Sequence, residues 1–434
     1  MESITNLPEK MTVKLKDEGS WDDTQLRAIH ACLDRSHRVV PITGEAGTGK
    51  TSILRTVHEE LVSAGYAVVL CAPTGKAAKR ITEATGIEAV TIHRLLEYPY
   101  PGEIDEKTGK PLSATYPRRD HRNPLEYDVI LADEYAMVAS EVHRNLFDAL
   151  PAGGRICVFG DANQLAPIEA SEARRKEDSP FEYLLKKFNG IRLKKIHRQA
   201  EGSSIIFNCH RILEGQIPIR KDDFTLMLSE VPIEAVTNLV MDGLDTGRDF
   251  GALNCQVITP TRIGWVGSTS INSLMQSMLQ PSDKESVEIA RHPWAEAPTQ
   301  RIFIDDKVIF TVNNYGLGIF NGETGIVRKI DYADTVHVDF GDKEIGIPVA
   351  MEVTARRGTA IINPQKDLDL AYAITTHKAQ GSEYEDVLYV INKSRPFMLC
   401  RRNFYTAVSR ARKRVCVIAD KRALSLSLFK VDSR

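Results

Sequence analysis

The segment VVPITGEAGTGKTSILRTVHEEL, residues 39–61, constrains the fold more than any other stretch of this chain. Val39, Val40 and Ile42 read as a buried strand, and Ile53, Leu54, Val57 and Leu61 recur at the spacing of one helix face. Between them, Gly44, Gly49, Lys50 and Thr51 fit the pattern G-x-x-x-x-G-K-[ST]. A strand that enters a glycine loop and leaves as a helix belongs to a parallel α/β sheet, because only a crossover helix joins parallel strands. The glycines permit a tight turn, so the backbone N–H groups of Gly44, Ala46, Gly47, Thr48 and Gly49 can close around phosphate oxygens. Lys50 would reach the β- and γ-phosphates, Thr51 would offer a hydroxyl to Mg²⁺, and the helix from Ser52 adds its positive N-terminal dipole.

A phosphate loop needs a carboxylate from a second buried strand. YDVILADEYAM supplies Val129, Ile130 and Leu131 as the strand, then Asp133 and Glu134. Asp133 can hold Mg²⁺ through its water shell, and Glu134 can orient and deprotonate an attacking water. The chain has no guanine-reading N-K-x-D, so the substrate expected is ATP. AVVLCAPTGKAAKR and RICVFGDANQLAPI add two more strands. Ligands of parallel sheets bind at the carboxyl ends of strands, so these tips fall on one rim. Gln164 can sense the γ-phosphate there. Pro73 and Thr74 can approach a second ligand along the rim, though Thr74 equally suits a helix cap.

After about residue 190 the pattern restarts without a second phosphate loop: CQVITPTR, VLYVI and RVCVIAD are strands, and NFYTAVSRARKRV is a helix running into the last of them. Such a half would complete a nucleotide site with arginines, for which Arg198 and Arg410 are candidates; small Ala407 and Ala411 favour Arg410 on a closely packed helix. From about Ile302 to Val349, short β-rich runs alternate with Asn-Gly, Gly-Glu and Gly-Asp turns, the texture of a small barrel. Residues 97–123, rich in Pro, Gly, Tyr and charge, read either as an inserted hairpin or as disorder. The domains expected are residues 1–189, with 97–123 inserted; 190–295 with 360–434; and 296–359.

The formal net charge of -2 gives no bulk affinity for nucleic acid, so positive charge would have to be local. Lys76/Lys79/Arg80, Arg118/Arg119/Arg122 and Arg401 through Arg414 are such clusters, and solvation alone would also explain them. Seven scattered cysteines form no C-x-x-C pair, which argues against structural zinc and a disulfide framework. The N-terminal stretch has no apolar core of a secretory signal, no run is long enough to span a membrane, and a cytoplasmic protein is expected.

Taken together, TQLRAI, GEAGTGKT, APTGKAAKR, TIHRLL, DEYAM, GDANQLAPI, LKKIHRQ, TTHKAQGSEYEDV and YTAVSRAR resemble, in order, the motifs of superfamily 1 helicases of type B, with the strongest likeness to the RecD-like and phage Dda group. Tyr135 departs from the small residue more common after Asp-Glu. The resemblance implies an α/β fold of two RecA-like P-loop domains with ATP between them, a β-hairpin pin inserted in the first and an SH3-like β-barrel in the second. It implies 5′-to-3′ movement on single-stranded DNA and unwinding of forked duplex. It implies Gln25 as adenine reader; Gln164, Arg198 and Arg410 at the γ-phosphate; and Gln380, Gly381 and Glu383 near the nucleotide. Pro73, Thr74, Thr91, His93, Thr376 and His377 would contact DNA. A monomer is expected, in a bacterial or phage-infected cell, beside a single-strand-binding, replication or recombination protein. Two other readings stay open: a translocase that does not unwind, and a nucleotide-gated DNA-binding subunit of a repair complex.

Overall fold

The structure is a computed structural model describing residues 21–99, 116–167, 169, 178–195, 203–246, 249–292, 298–314, 316–355 and 358–432. It divides into two compact units that part near residue 201. The core of the pin segment, and Arg198 with the residues around it, lie outside the described residues.

The first unit runs α1 (Asp23–Leu33), β1 (Val39–Thr43), α2 (Lys50–Ser63), β2 (Val68–Ala72), α3 (Gly75–Thr85), β3 (Ala89–Thr91), α4 (Ile92–Leu95), β4 (Val129–Ala132), α5 (Ser140–Asp148), β5 (Arg155–Gly160), α6 (Pro180–Lys187) and β6 (Ile191–Arg192). Its sheet has the order β3-β2-β4-β5-β1-β6, with every pairing parallel. Strands β1, β4 and β5 are buried along their whole length, as a sheet covered by helices on both faces requires. One face packs Ile29, Ile53, Leu54 and Val57 from the helices against Ile42 and Phe159; the other buries Tyr135, Leu146 and Phe181. Each such side chain contributes about 1.5–3 kcal/mol relative to exposure. Strand β6 pairs with β1 through Ile42 and Thr43, so this sheet extends past residue 189.

The second unit runs α7 (Ser204–Leu213), β7 (Phe224–Leu228), α8 (Pro232–Thr246), β8 (Cys255–Thr259), α9 (Ser268–Leu279), β9 (Ser286–Ala290), β10 (Thr299–Phe303), β11 (Lys307–Phe310), β12 (Thr324–Ile330), β13 (Val336–Asp339), β14 (Glu344–Ile347), β15 (Met351–Ala355), β16 (Gly358–Ile362), β17 (Leu368–Leu370), β18 (Ala373–Thr375), α10 (Thr376–Ala379), β19 (Tyr384–Ile391), α11 (Arg401–Val408), β20 (Ala411–Ala419) and α12 (Lys421–Phe429). Its main sheet, β18-β8-β19-β20-β7, is again wholly parallel. A separate antiparallel sheet, β14-β13-β12-β11-β17, makes the small β insertion. Leu368–Leu370 of β17 closes that sheet against β11, beyond the stretch whose turns marked it in the sequence. Helix α11 ends at Val408, so Arg410 sits in the turn before β20 rather than on a helix.

Candidate nucleotide site and rim residues

The glycine loop joins β1 to α2, and the fold holds it from three sides. Gly44 N donates to Gly160 O at 3.0 Å, tying the loop to the tip of β5. Ala162 N donates to Thr43 Oγ1 at 3.1 Å, and Asn163 Nδ2 lies 3.4 Å from Glu45 Oε1. Gln25 is buried and doubly engaged: Oε1 accepts from Asp22 N at 3.1 Å, closing the capping box of α1, and Nε2 donates to Thr48 O at 3.1 Å. Its amide therefore positions the loop, a role its motif did not reveal. Gly49 caps α2 with φ +84°, and a Cβ there would lie 2.5 Å from Gln25 Nε2, so no other residue fits. Ala46, Gly47 and Thr51 are partly buried along the loop, and Ser52 is exposed at the start of α2. Lys50 folds back over the loop, with Nζ donating to Gly44 O at 2.7 Å and Glu45 O at 3.0 Å.

Strand β4 delivers Asp133 and Glu134 to the same rim. Asp133 is buried, and Oδ1 accepts from Glu134 N at 2.8 Å. Burial, then the neighbouring charge of Glu134, push its carboxyl from 3.8 up to about 6, against the pull of Lys50 and Arg80. Glu134 is held at φ 51°, a left-handed conformation that costs a non-glycine residue about 1–3 kcal/mol. Its Oε2 is buried without a hydrogen-bond partner among the described residues. Backbone strain and an unpartnered carboxylate oxygen thus coincide in this one residue. At the tip of β5, Gln164 is likewise buried; Nε2 lies 3.5 Å from Asp161 Oδ2, and Oε1 has no partner among the described residues.

The donor set suits a divalent cation: Asp133 and Thr51 offer only oxygen, the ligand type Mg²⁺ takes beside phosphate. Among the described residues, three or more His, Cys, Asp or Glu side chains nowhere cluster as a metal cage, so the nucleotide would have to supply ligands. The raised Asp133 carboxyl gives a signed expectation. Below about pH 6 a proton competes for the carboxylate, so Mg²⁺-dependent binding of a fluorescent ADP should weaken about tenfold per pH unit. Asp133→Asn should lose that dependence, and the difference between the two chains removes the nucleotide's own titration. Parallel pH profiles would refute the assignment. In the nucleotide-free protein the folded state binds this proton more tightly than the unfolded chain, so raising pH from about 4 to 6 removes stability at this residue.

Further along the rim, Thr74 caps α3 by accepting from Ala77 N at 3.2 Å, and Thr91 is buried and caps α4 by accepting from Arg94 N at 3.1 Å. Pro73 is partly buried beside Thr74, and His93 is exposed with its ring 4.9 Å from that of Tyr98.

In the second unit, the segment from Thr376 to Glu383 differs most from the expectation. Thr376 is fully buried, and its hydroxyl donates to Asn403 Oδ1 at 2.7 Å. Its side chain thus braces α10 against α11 and does not face outward. His377 is partly buried, and burial lowers its pKa to about 4, so the ring is neutral at pH 7. Gln380 is buried, and Gly381 turns the chain at φ +72°. The Glu383 carboxylate accepts from Arg412 Nε at 2.9 Å and Nη2 at 2.7 Å. Lys413 and Arg414 pair likewise with Glu385 and Asp386. Much of the basic run is thus answered by the start of β19. Arg410 is different: buried, with Nε donating to Thr406 O at 3.1 Å, Nη2 to Ser409 Oγ at 3.1 Å and Nη1 lying 3.5 Å from Ser382 O, and with no carboxylate partner among the described residues.

Tyr135, whose bulk already stands out in the sequence, is fully buried, and its hydroxyl lies 2.9 Å from His143 Nδ1.

Three family models match successive parts of the chain: an AAA domain over residues 20–229, an ATP-dependent RecD-like DNA helicase SH3 domain over 271–340, and a UvrD-like helicase C-terminal domain over 370–418. The ATP-dependent RecD2 DNA helicase of Deinococcus radiodurans is 35% identical over 378 residues, covering 87% of this chain and 46% of that protein. The RecBCD enzyme subunit RecD of Mycobacterium tuberculosis is 26% identical, covering 94% of this chain and 70% of that one. The chain thus spans less than half of the first relative's length. Among solved structures, a Bacteroides Pif1 helicase in complex with ADP-AlF3 and ssDNA superposes with TM-score 0.55 at 20% identity, covering 92% of each chain. The Pif1 helicase of Candida albicans gives TM-score 0.57 at 19% identity, covering 93% of this chain and 96% of that one.

Proposed function

The chain belongs to the RecD-like helicases of superfamily 1 type B, and on that premise we propose that it hydrolyses ATP to move 5′ to 3′ along single-stranded DNA and to unwind forked duplex. The observation that carries this reading is the convergence, on one rim, of the phosphate loop, buried Asp133 and the unpartnered Oε2 of Glu134. Bound Mg²⁺ would neutralise charge on the transferring phosphoryl group, held by Asp133 and Thr51. Lys50 would exchange its two loop carbonyls for β- and γ-phosphate oxygens. Glu134 would take the proton of the attacking water at Oε2, and Gln164 Oε1 would orient that water or sense the γ-phosphate. Gln25 supports the loop in this scheme, with adenine reading as a second assignment. Arg410, a buried cation with only neutral acceptors, is assigned to the γ-phosphate, and Arg198 carries the same proposal. Gln380, Gly381 and Glu383 would report the nucleotide's state, since Ser382 O, within the same turn, lies 3.5 Å from Arg410 Nη1.

On the DNA side, Pro73, Thr74, His93 and His377 would meet the strand. Thr91 and Thr376 would act by shaping backbone, because their side chains are turned inward. A neutral His377 would contact phosphate by hydrogen bond rather than by charge. Nucleotide-dependent changes in grip would then move the protein along the strand.

The test uses one duplex carrying only a 5′ or only a 3′ single-stranded tail, with ATP turnover measured alongside. Single-stranded DNA should stimulate hydrolysis, and only the 5′-tailed duplex should open. Hydrolysis indifferent to DNA would refute the helicase reading. Stimulated hydrolysis with neither duplex opened would favour the non-unwinding translocase.

A further inference from the structure

We propose, resting on the DNA-binding reading above, that the loops leaving β8 and β19 form a base-stacking platform for single-stranded nucleic acid, with Trp265 as its principal ring. Strands β8 and β19 are parallel neighbours in register from Cys255↔Asp386 to Ile258↔Tyr389. Their outgoing loops therefore leave the same rim of the sheet. The loops touch: a Cβ on Gly264 would lie 3.5 Å from Arg395 Cγ. On the other side of β8 lies β18, which leads directly into His377 and Lys378.

Three large apolar side chains stand out from these two loops: Trp265 at 78% exposure, Phe397 at 54% and Ile263 at 53%. Single exposed apolar residues are ordinary, but three on adjoining loops at a ligand-binding rim are not. The first loop is rigidly built. Thr259 Oγ1 donates to Val266 O at 2.6 Å, Thr261 Oγ1 to Ile263 O at 3.0 Å and Ser270 Oγ to Gly264 O at 2.8 Å. Gly264 sits at φ +120°, a conformation that L side chains rarely adopt. The tryptophan is thus held out by a pinned backbone.

The surrounding charge selects the occupant. Arg262 stays half exposed although its Nη2 lies 3.9 Å from Asp369 Oδ2, and exposed Arg395 has no ion-pair partner among the described residues. Each loop alternates a guanidinium with an apolar side chain: Arg262 with Ile263 and Trp265, Arg395 with Phe397. That interleaving breaks up the continuous apolar surface a protein partner would want. It suits a chain that alternates flat bases with phosphates, since aromatic rings stack on any base and arginines answer the backbone. Stacking here would add a grip indifferent to sequence, beside the polar contacts of His377.

The test titrates labelled oligo-dT, and an abasic oligomer of equal length, into the unaltered chain and into Trp265→Ala, Trp265→Phe and Arg395→Ala. Trp265→Ala should bind oligo-dT about tenfold more weakly, with unchanged salt slope and melting temperature. Trp265→Phe should recover most of the loss, and the abasic oligomer should not distinguish Trp265→Ala from the unaltered chain. Oligo-dT should quench tryptophan fluorescence in the unaltered chain, and Trp265→Phe should remove that quench although Trp21 and Trp294 remain. Arg395→Ala should lower the salt slope by about one. Equal oligo-dT affinity in Trp265→Ala, or equal losses on both oligomers, would overturn the platform while leaving the helicase reading intact. Failure of the unaltered chain to bind oligo-dT would overturn that reading itself.

Discussion

Glu134→Gln should reduce ATP turnover by about 10²–10⁴-fold while leaving ADP affinity nearly unchanged. The substitution keeps volume and shape, so the loop, Lys50 and Asp133 stay in place. What it removes is the ability of Oε2 to take a proton. That oxygen is buried and unpartnered, so no other group among the described residues satisfies it or competes for it. The left-handed backbone at residue 134 should persist, because it is imposed by the turn from β4 into the 3-10 helix Tyr135–Met137. A second readout separates a catalytic role from a structural one. Part of the upward shift at Asp133 comes from the charge of Glu134. Glu134→Gln should therefore move the loss of Mg²⁺-dependent ADP binding to lower pH. Single-turnover hydrolysis within a few-fold of the unaltered chain would remove Glu134 as the base.

Local chemistry explains why the first unit's site was so legible. Gly49 has to be glycine because of a φ of +84° and a neighbouring amide, both set within a few residues, so the loop writes itself into the sequence. Asp133 and Glu134 follow a strand whose burial shows in consecutive apolar residues. The second unit was read less well because polar side chains do not announce their direction. The motif implies a Thr376 that faces DNA, yet its hydroxyl points at Asn403, a partner 27 positions away that no local pattern identifies. The basic run Arg412–Arg414 is exposed, as its charge suggests, but strand pairing sets it against Glu383, Glu385 and Asp386, acids that no local pattern links to it. Gln25 illustrates the opposite case: its position was recognised, but its amide meets Thr48 O through the packing of α1 on the loop. A two-residue strand such as β6 carries no periodicity at all.

Arg410→Lys should lower ATP turnover by about 10³-fold or more with little change in single-stranded DNA affinity. The guanidinium is 3% exposed, and its partners are Thr406 O, Ser409 Oγ and the more distant Ser382 O. Neutral acceptors orient a buried cation without cancelling its charge, which is costly unless an anion arrives during function. A lysine keeps the charge but not the planar fork, so it cannot hold those acceptors and still present a donor to phosphate. Arg410→Ala should be as inactive but also less stable, since it removes the long contact to Ser382 O and one donor from Thr406 O, which also accepts from Ser409 Oγ at 3.1 Å. The pair separates the two contributions. If Arg410 only braces the turn between α11 and β20, turnover in both variants should track melting temperature. If it answers the γ-phosphate, Arg410→Lys should lose turnover at near-normal melting temperature and should bind ADP better than a γ-phosphate analogue of ATP. Unaltered preference for the triphosphate in Arg410→Lys would rule that role out, and would leave Arg198 as the remaining arginine candidate for the γ-phosphate.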